Sequence, residues 1–237
     1  MIKYAIIAAG EGSRLAKEGI AVPKPLVRIA EETLIDRLIR IFQDQGATEI
    51  DVICNQRDEE VCRHLRRLQS SLVNCQLSII QKSTPSSMHS LFELSSLLDN
   101  NPFVLTTVDT VFREEEFRRY VETFKRILLS GEADGLMGVT DYIDDECPLY
   151  VQTDDAFNIT AFLDRNDHPR YVSGGIYGLT PTTLQTLCAC VARGESRMRN
   201  FQRAMLTDSL RLKAYPFTTI LDVDHASDIH KANTLLT

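Results

Sequence analysis

The feature that most constrains the fold is a nearly continuous apolar run at the start of the chain that ends in two closely spaced glycines. Ile2–Ala9 has the composition of a β-strand buried on both faces. The segment Gly10–Arg14, with glycines at its first and third positions, follows at once. Because no small-residue cleavage site follows the run, we interpret it as a first strand and not as a signal peptide. A buried strand that opens into a glycine loop predicts an α/β fold.

Short apolar runs and amphipathic stretches alternate through the first half of the chain. We predict strands at Ile2–Ala9, Glu49–Asn55, Gln76–Gln81 and Phe103–Val108. We predict helices at Thr33–Gln45, Asp58–Leu72, Ser86–Asp99 and Glu114–Leu129. The first of these helices, for example, has its apolar residues at helical spacing and a glycine directly after it. The β-α-β-α order predicts a parallel α/β sheet.

The pattern changes in the second half of the chain, where strands are predicted in quick succession. They are Gly135–Tyr142, Leu149–Thr153, Ile159–Leu163 and Tyr171–Leu179. Strands without helices between them indicate an antiparallel or mixed edge of the sheet. The remaining predicted elements are helices at Pro181–Ala192 and Met198–Asp208, short strands at Leu212–Phe217 and Ile220–Val223, and a closing helix at His225–Leu236.

Composition and charge exclude several classes of protein. The 237 residues carry 26 Lys and Arg against 33 Asp and Glu, and the net charge of −7 lacks the basic footprint of a duplex-binding protein. No apolar run approaches the roughly 20 residues of a membrane span, so we expect neither nucleic acid nor membrane as a partner. The six cysteines contain no Cys-x-x-Cys pair, which argues against a zinc site and favours reduced thiols in a cytoplasmic protein.

The loop after the first strand is a candidate anion site. Gly10 and Gly12 let backbone N–H groups approach a phosphate without an intervening Cβ, and Arg14 can hold a phosphate through two hydrogen bonds. Leu15 stands where a dinucleotide-binding fingerprint needs its third glycine, and the chain has no Gly-Lys-Ser/Thr of a Walker A loop. Taken alone, the two glycines also fit a mere tight turn.

A second motif, Pro23-Lys24-Pro25, follows the glycine loop after a short spacer. Two prolines stiffen the backbone around one lysine, so that Lys24 projects from a fixed frame. An isolated Pro-Lys-Pro would usually be a surface turn. Two cations and a row of backbone donors next to a strand end, however, predict an anion site.

Together the two motifs resemble the signature of the nucleotidyltransferase family that makes nucleoside-diphosphate sugars and related activated alcohols, and the resemblance extends over essentially the whole chain. It implies a Rossmann-like three-layer α/β/α fold with a mixed, mostly parallel central sheet and a small antiparallel lobe on the acceptor side. It also implies one domain, with a nucleotide-binding half at 1–130 and an acceptor-binding half with the closing helix at 131–237. The implied nucleotide-binding residues of the loop are Ala8, Ala9, Gly10, Glu11, Gly12 and Ser13. Arg14 and Lys24 would then act on the phosphates.

Two strand-end aspartates resemble the metal ligands of this family. Asp109 follows the fourth predicted strand, and Asp222 opens a short acidic segment before the closing helix. The resemblance implies that both bind one Mg²⁺ on the triphosphate, for which hard oxygen ligands are suited. Each aspartate alone could instead cap the helix that follows it. Asp224 would cap the closing helix or assist from behind the metal ligands, and His225 and Ala226 replace the usual Thr-Pro.

The base pocket is predicted at the loop before the third helix. Gln81, Ser86 and Ser87 lie where members of the family line the base and the ribose. The stretch Ser86–Leu91 is similar to that of bacterial choline-phosphate cytidylyltransferases, a branch of the same superfamily, which makes cytidine an option. The serines could also cap the helix, and both roles could hold.

The acceptor pocket is predicted in the second half of the chain. Asp164 and Arg165 resemble the family's Glu-Lys pair, which faces the sugar and phosphate of the acceptor. Ser173, Gly174 and Gly175 resemble its Asn-x-Gly strand and are predicted to bind the acceptor, although Gly175 could instead be a β-bulge glycine. The predicted catalytic residues are Arg14, Lys24, Asp109 and Arg165.

Three functions are compatible with the sequence. The first is Mg²⁺-dependent transfer of a nucleoside monophosphate from a nucleoside triphosphate to a sugar 1-phosphate. The second is a cytidylyltransferase for phosphocholine or a similar phospho-alcohol, and the third is a non-catalytic nucleotide-sugar-binding regulatory protein. The retained Arg14, Lys24, Asp109 and Asp222 argue against the third. Because the chain stops one helix after Asp222, we expect no appended acyltransferase; whether the protein forms a homo-oligomer is left open.

Overall fold

Within the residues that the computed structural model describes, 1–98, 100–144, 146–165 and 169–237, nine strands form one central sheet and four short strands form two small ribbons. The strands are β1 (Lys3–Ala8), β2 (Arg28–Ile29), β3 (Glu32–Thr33), β4 (Glu49–Cys54), β5 (Gln76–Gln81), β6 (Phe103–Thr107), β7 (Thr110–Val111), β8 (Gly135–Thr140), β9 (Tyr150–Thr153), β10 (Ile159–Leu163), β11 (Tyr171–Leu179), β12 (Leu212–Phe217) and β13 (Leu221–Asp222). The helices are α1 (Ser13–Lys17), α2 (Leu34–Asp44), α3 (Glu59–Ser71), α4 (Ser87–Leu98), α5 (Glu114–Ser130), α6 (Thr183–Ala192), α7 (Met198–Thr207) and α8 (Ala226–Leu236).

The central sheet has a parallel part and an antiparallel part. β1 lies between β4 and β6, parallel to both, and β5 extends the sheet beyond β4. β11 runs antiparallel to β6, β8 and β9, while β12 pairs in parallel with β8 and β10 pairs antiparallel with β9. The α/β fold with a mixed sheet and a small antiparallel part, predicted from the sequence, is confirmed.

The predicted and observed elements agree closely. β5, β10, β11 and β12 have the predicted bounds, and the other predicted elements differ from the observed ones by one or two residues at their ends. The structure adds short elements that carry no periodic pattern: α1, a 3-10 turn at Lys24–Leu26, the β2–β3 ribbon and β7. The predicted end of the third long helix, Asp99, lies outside the described residues. Among the described helices, none is both long and apolar enough to cross a membrane.

The two faces of the sheet bury separate apolar layers, because successive residues of a strand point to opposite faces. From β1, Tyr4 and Ile6 pack on the face that α2, α3 and α5 cover. Ala5 and Ile7 pack on the face that α4, α6 and α7 cover. The helices and the sheet thus form three layers. Because β1, β4 and β6 are parallel, their carboxyl ends lie at one edge of the sheet.

Candidate active site

A cleft of about 1100 Å³ lies at the carboxyl ends of β1, β4 and β6. Open α/β sheets bind their ligands in a crevice at this edge. The predicted site residues that line the cleft are Ala9, Gly10, Glu11, Gly12, Ser13, Arg14, Lys24, Ser86, Ser87, Asp109, Ser173, Gly175 and Asp222. The cleft thus collects residues from both halves of the chain.

The glycine loop and the Pro-Lys-Pro motif are packed against each other. Gly12 has a φ of 58°, a left-handed conformation that favours glycine. A Cβ at this position would stand 3.0 Å from the Cβ of Lys24. Pro23 precedes the 3-10 turn, which is closed by a hydrogen bond of 2.8 Å from the N–H of Leu26 to the Pro23 carbonyl. The close approach therefore requires a glycine, and it fixes the lysine directly beside the loop.

Lys24 is a buried cation between two carboxylates. Only 9% of its side chain is exposed; its ammonium contacts Asp109 and donates to Oδ1 of Asp224 at 2.6 Å. Burial alone would lower the pKa of Lys24, but the two carboxylates outweigh burial and raise it above its ordinary value. Burial also opposes ionisation of Asp109, yet the Lys24 ammonium holds the pKa of that carboxyl below its usual range. Both groups are therefore charged at neutral pH.

Asp109 and Asp222 are neighbours because two short strands pair. In the β7–β13 ribbon, Asp222 lies opposite Thr110, the residue after Asp109. The N–H of Val223 donates to the Asp109 carbonyl at 3.0 Å, and the Thr110 hydroxyl donates to Oδ1 of Asp222 at 3.3 Å. Two carboxylates that are far apart in sequence are thus held at one end of the cleft.

The carboxylate oxygens of Asp109 and Asp222 suit a hard divalent cation such as Mg²⁺. In the described ranges of the chain, no group of three or more His, Cys, Asp or Glu side chains could hold a metal by itself. Mg²⁺ is commonly bound by one or two carboxylates together with substrate phosphates and water, and not by an all-protein cage. The pair therefore fits a cation that arrives with a phosphate ligand.

Asp224 binds the cations of the site and does not cap the last helix. The backbone N–H groups of Asp224 and His225 donate to Oδ2 of Asp228 at 3.2 and 2.8 Å. Asp228 therefore caps the start of α8, and that predicted role for Asp224 is wrong. The Asp224 carboxylate instead accepts from Lys24 and, at 2.8 Å, from Arg14. It holds the two predicted phosphate-binding cations next to each other.

Asn55 connects the glycine loop to the loop after β5. Its amide is buried, donates to the carbonyl of Ala9 at 3.2 Å and accepts from the Ser83 hydroxyl at 2.7 Å. Sequence analysis missed this residue. It follows a buried strand in the same way as Asp109 does, and that signal could have found it.

The other end of the cleft is formed by β11 and the start of α7. Gln202 is 2% exposed and donates to the Ser173 hydroxyl at 2.8 Å. Tyr177 shares a hydrogen bond with Ser173, and burial raises the pKa of that phenol above its usual value. Arg197 and Arg199 line this end as well. Neither the arginines nor Gln202 was predicted, because they reach the cleft only when α7 packs beside the sheet.

Gly175 forms a β-bulge, one of its two predicted roles. Its φ is 72°, and the register between β11 and β8 shifts between Ser173 and Ile176. A Cβ here would stand 2.8 Å from the Thr110 hydroxyl oxygen and 3.0 Å from that of Thr107. The bulge therefore lets β11 approach the segment that carries Asp109, and the glycine also lines the cleft.

Some predicted site residues lie outside this cleft. Ala8 is buried in β1, and the side-chain oxygen of Gln81 on β5 accepts a hydrogen bond from α3 at 3.1 Å. Asp164 is bound by two arginines of α7. Arg165 is exposed and is not among the residues that line the cleft. Gly174 lines an adjoining cavity of about 250 Å³.

Known proteins share both the sequence pattern and the fold. The sequence profile of the nucleotidyl transferase family matches residues 3–237. The low-salt glycan biosynthesis nucleotidyltransferase of Haloferax volcanii is 22% identical over 99% of this chain and 66% of its own length. This chain spans about two thirds or less of the curated relatives that it matches.

Two solved structures show the same fold over nearly their full length. A candidate glucose-1-phosphate thymidylyltransferase from Bacillus anthracis has a TM-score of 0.84 at 18% identity, covering 99% of this chain and 95% of that one. The inositol-1-phosphate CTP transferase of T. maritima has a TM-score of 0.77 at 16% identity, covering 99% and 96%. With a family match along almost its whole length, the chain belongs to the nucleotidyl transferase family.

Proposed function

We propose that the protein transfers a nucleoside monophosphate from a nucleoside triphosphate to a sugar 1-phosphate, with release of pyrophosphate. The position of Lys24 is the main support for this proposal. Lys24 packs against Gly12 on one side and binds Asp109 and Asp224 on the other. Backbone donors, cations and carboxylates suited to Mg²⁺ are therefore adjacent. A triphosphate requires such a set, because it brings several negative charges to one place.

The nucleotide would occupy the end of the cleft nearest β1. The loop 8–13 and Arg14 would hold the triphosphate, and the loop before α4 would border the base. Within the described residues, Ser86 bonds to His89 whereas the Ser87 hydroxyl makes no hydrogen bond to protein. Ser87 is thus available to the base, while Ser86 fixes the start of the helix.

In the proposed reaction, an oxygen of the acceptor phosphate attacks the α-phosphorus. The new P–O bond forms as the bond from the α-phosphorus to the oxygen that bridges to the β-phosphate breaks, and pyrophosphate leaves. Mg²⁺ held by Asp109 and Asp222 would supply positive charge against the charge that develops during transfer. Lys24 would neutralise the α-phosphate and Arg14 would orient the pyrophosphate. The acceptor phosphate is already an anion, so the rate depends on positioning and electrostatics and not on a general base.

The acceptor would occupy the opposite end, so that residues 1–130 bind the nucleotide and residues 131–237 bind the acceptor. Ser173 and Gly175 would border it, and Asp164 would act on it through Arg199. This end favours a sugar phosphate over phosphocholine, the alternative suggested by the stretch 86–91. A quaternary ammonium needs an aromatic or acidic cage, whereas this end is lined by Arg197 and Arg199, whose charge would repel it.

The experiment is a grid of pyrophosphate release with Mg²⁺, in which four nucleoside triphosphates are tested against a panel of sugar 1-phosphates and phosphocholine. We expect release with at least one sugar 1-phosphate, none with the nucleotide alone and none in excess EDTA. Release with phosphocholine only would favour the second function. A blank grid from folded protein that still binds a nucleotide would favour the regulatory alternative and contradict the proposal.

A further inference from the structure

Two arginines give a positive charge to the acceptor end of the cleft, the end formed by β11 and the start of α7. They are separate from the cations of the nucleotide end, which the loop after β1 and Lys24 form. Arg197 is the N-cap residue of α7 and Arg199 lies in its first turn, and both line the cleft. The other lining cations each have a carboxylate partner that also lines the cleft. These paired cations are Lys24, Arg14 and Arg57. Arg197 and Arg199 are therefore the cations most available to an acceptor.

The surroundings of the two arginines leave most of their donors free. Among the residues described, Arg197 has no ion-pair partner, and its side chain is exposed. Arg199 donates to Asp164 at 2.8 Å and to the Cys147 carbonyl at 2.9 Å, and 25% of its side chain is exposed. A guanidinium has five N–H donors, so these contacts orient Arg199 without saturating it. Asp164 also binds Arg203 at 2.7 Å, so one carboxylate faces two guanidinium groups and leaves an excess of positive charge.

The arginines form a set of donors separate from the cations assigned to the nucleotide. Lys24 binds Asp109 and Asp224. Arg199 instead donates to Asp164 and to the Cys147 carbonyl. Because the two sets of cations are held by different carboxylates, the arginines can bind an anionic group other than the reacting phosphates.

We propose that the natural acceptor is doubly acidic: a phosphate monoester of a sugar or sugar-like alcohol with a second anionic group that Arg197 and Arg199 bind. That group is a carboxylate or a second phosphate, since a guanidinium binds either through paired N–H donors. Gln202 and Ser173 would contact the hydroxyl groups between the two acids. This inference rests on the proposed function and specifies its acceptor.

The test compares acceptors that differ only in the second acid: glucose 1-phosphate, glucuronic acid 1-phosphate and glucose 1,6-bisphosphate, each with the four nucleoside triphosphates. We expect kcat/KM for one acidic acceptor to exceed that for glucose 1-phosphate by about tenfold or more, as hydrogen bonds to a charged group imply. Which acidic compound is preferred distinguishes a carboxylate from a phosphate.

Variants at the two arginines provide the decisive comparison. In Arg197→Gln and Arg199→Gln, we expect kcat/KM to fall about tenfold or more for the acidic acceptor, and by a clearly smaller factor for glucose 1-phosphate. The KM of the nucleotide should not change. Arg118→Gln, on the exposed side of α5, is the matched control and should alter neither value. Equal losses on acidic and neutral acceptors, or no preference in the wild type, would overturn the inference and leave the proposed function intact.

Calorimetric binding of the same three compounds, with a non-hydrolysable nucleotide analogue present, separates the two proposals. If no acceptor is turned over, the proposed function fails. The inference then stands only if an acidic compound binds the wild type at least about tenfold more tightly than it binds Arg197→Gln or Arg199→Gln. Equal binding, or no binding of either acidic compound, would overturn it.

Discussion

The two ends of the cleft are assembled in different ways. The proposed nucleotide end is made of short continuous segments, in which Gly12 lies against Lys24 and Lys24 binds Asp109. The acceptor end is made of single side chains from β11 and α7, such as Ser173 and Gln202. The geometry of the first end depends on backbone conformation, whereas that of the second end depends on the packing of a helix. We therefore expect the first end to tolerate fewer substitutions than the second.

The ends also differ in how their charges are balanced. At the nucleotide end, the Asp224 carboxylate forms ion pairs with Lys24 and Arg14, and these ion pairs hold both cations in place without a bound phosphate. At the acceptor end, Arg197 has no ion-pair partner among the described residues and Arg199 is only partly engaged. The cations of the first end are therefore held in place by protein carboxylates, whereas we expect those of the second end to be held by the ligand.

The largest effect is expected from Asp109→Asn. The change keeps the shape of the side chain but removes a carboxylate proposed to hold Mg²⁺, so we expect kcat/KM to fall at least about 100-fold. Lys24 retains Asp224 as a partner, so circular dichroism should show a folded protein. Asp155→Asn, in an exposed turn outside the cleft, is the control. Activity within about tenfold of the wild type would show that Asp109 is not a metal ligand.

The next largest effect is expected from Gly12→Ala, which should lower the stability of the fold at the nucleotide end. The alanine would need a left-handed φ and would meet Lys24 at 3.0 Å, so we expect the free energy of unfolding to fall by about 1–3 kcal/mol. Gly10→Ala is the matched control for stability, since its Cβ would meet nothing within 4 Å. Denaturant unfolding of both variants makes the comparison. Equal losses of stability would mean that the approach of Gly12 to Lys24 is not a constraint.

Ser173→Ala tests the acceptor end and should act on it alone. The change removes the hydroxyl that accepts from Gln202, so we expect the KM of the acceptor to rise about two- to tenfold. The KM of the nucleotide should stay constant, and Ser71→Ala, on the exposed end of α3, should change neither. A larger rise in the KM of the nucleotide than in that of the acceptor would contradict the assignment of this end.

The smallest effect concerns pH and the contact that ties α1 to α8. Nδ1 of His225 bonds to Glu18 at 2.6 Å, and this bond raises the pKa of the histidine. A raised pKa stabilises the fold fully below the ordinary histidine value of about 6.5, and the effect is lost as pH rises through the folded value. We therefore expect His225→Gln to lower Tm by no more than a few degrees at pH 6 and by less at pH 9. The same Tm difference at both pH values would show that the pair is not linked to folding.

That the residues of the proposed nucleotide end lie together could be predicted from the sequence, because their signals are local. Two glycines after an apolar strand, a lysine between prolines and an aspartate at a strand end each lie within a few residues, and the fold follows from the same alternation of strands and helices. Arg197, Arg199 and Gln202 had no such signal, since they reach the cleft only through the packing of α7 beside the sheet. The motif match of Arg165 did not predict its position either, since this residue is exposed and does not line the cleft.

Nucleotidyl transfer is tested most directly by the fate of the α-phosphorus. The protein is incubated with Mg²⁺, a nucleoside triphosphate labelled at the α-phosphate and, in separate reactions, each neutral and acidic sugar 1-phosphate of the panel, and the labelled products are separated. We predict that the label appears in a nucleoside-diphosphate product joined to the acceptor, in equal amount to the pyrophosphate released. Label that remains in the triphosphate with every acceptor, or that appears only as free nucleoside monophosphate, would contradict nucleotidyl transfer between the two ends of this cleft.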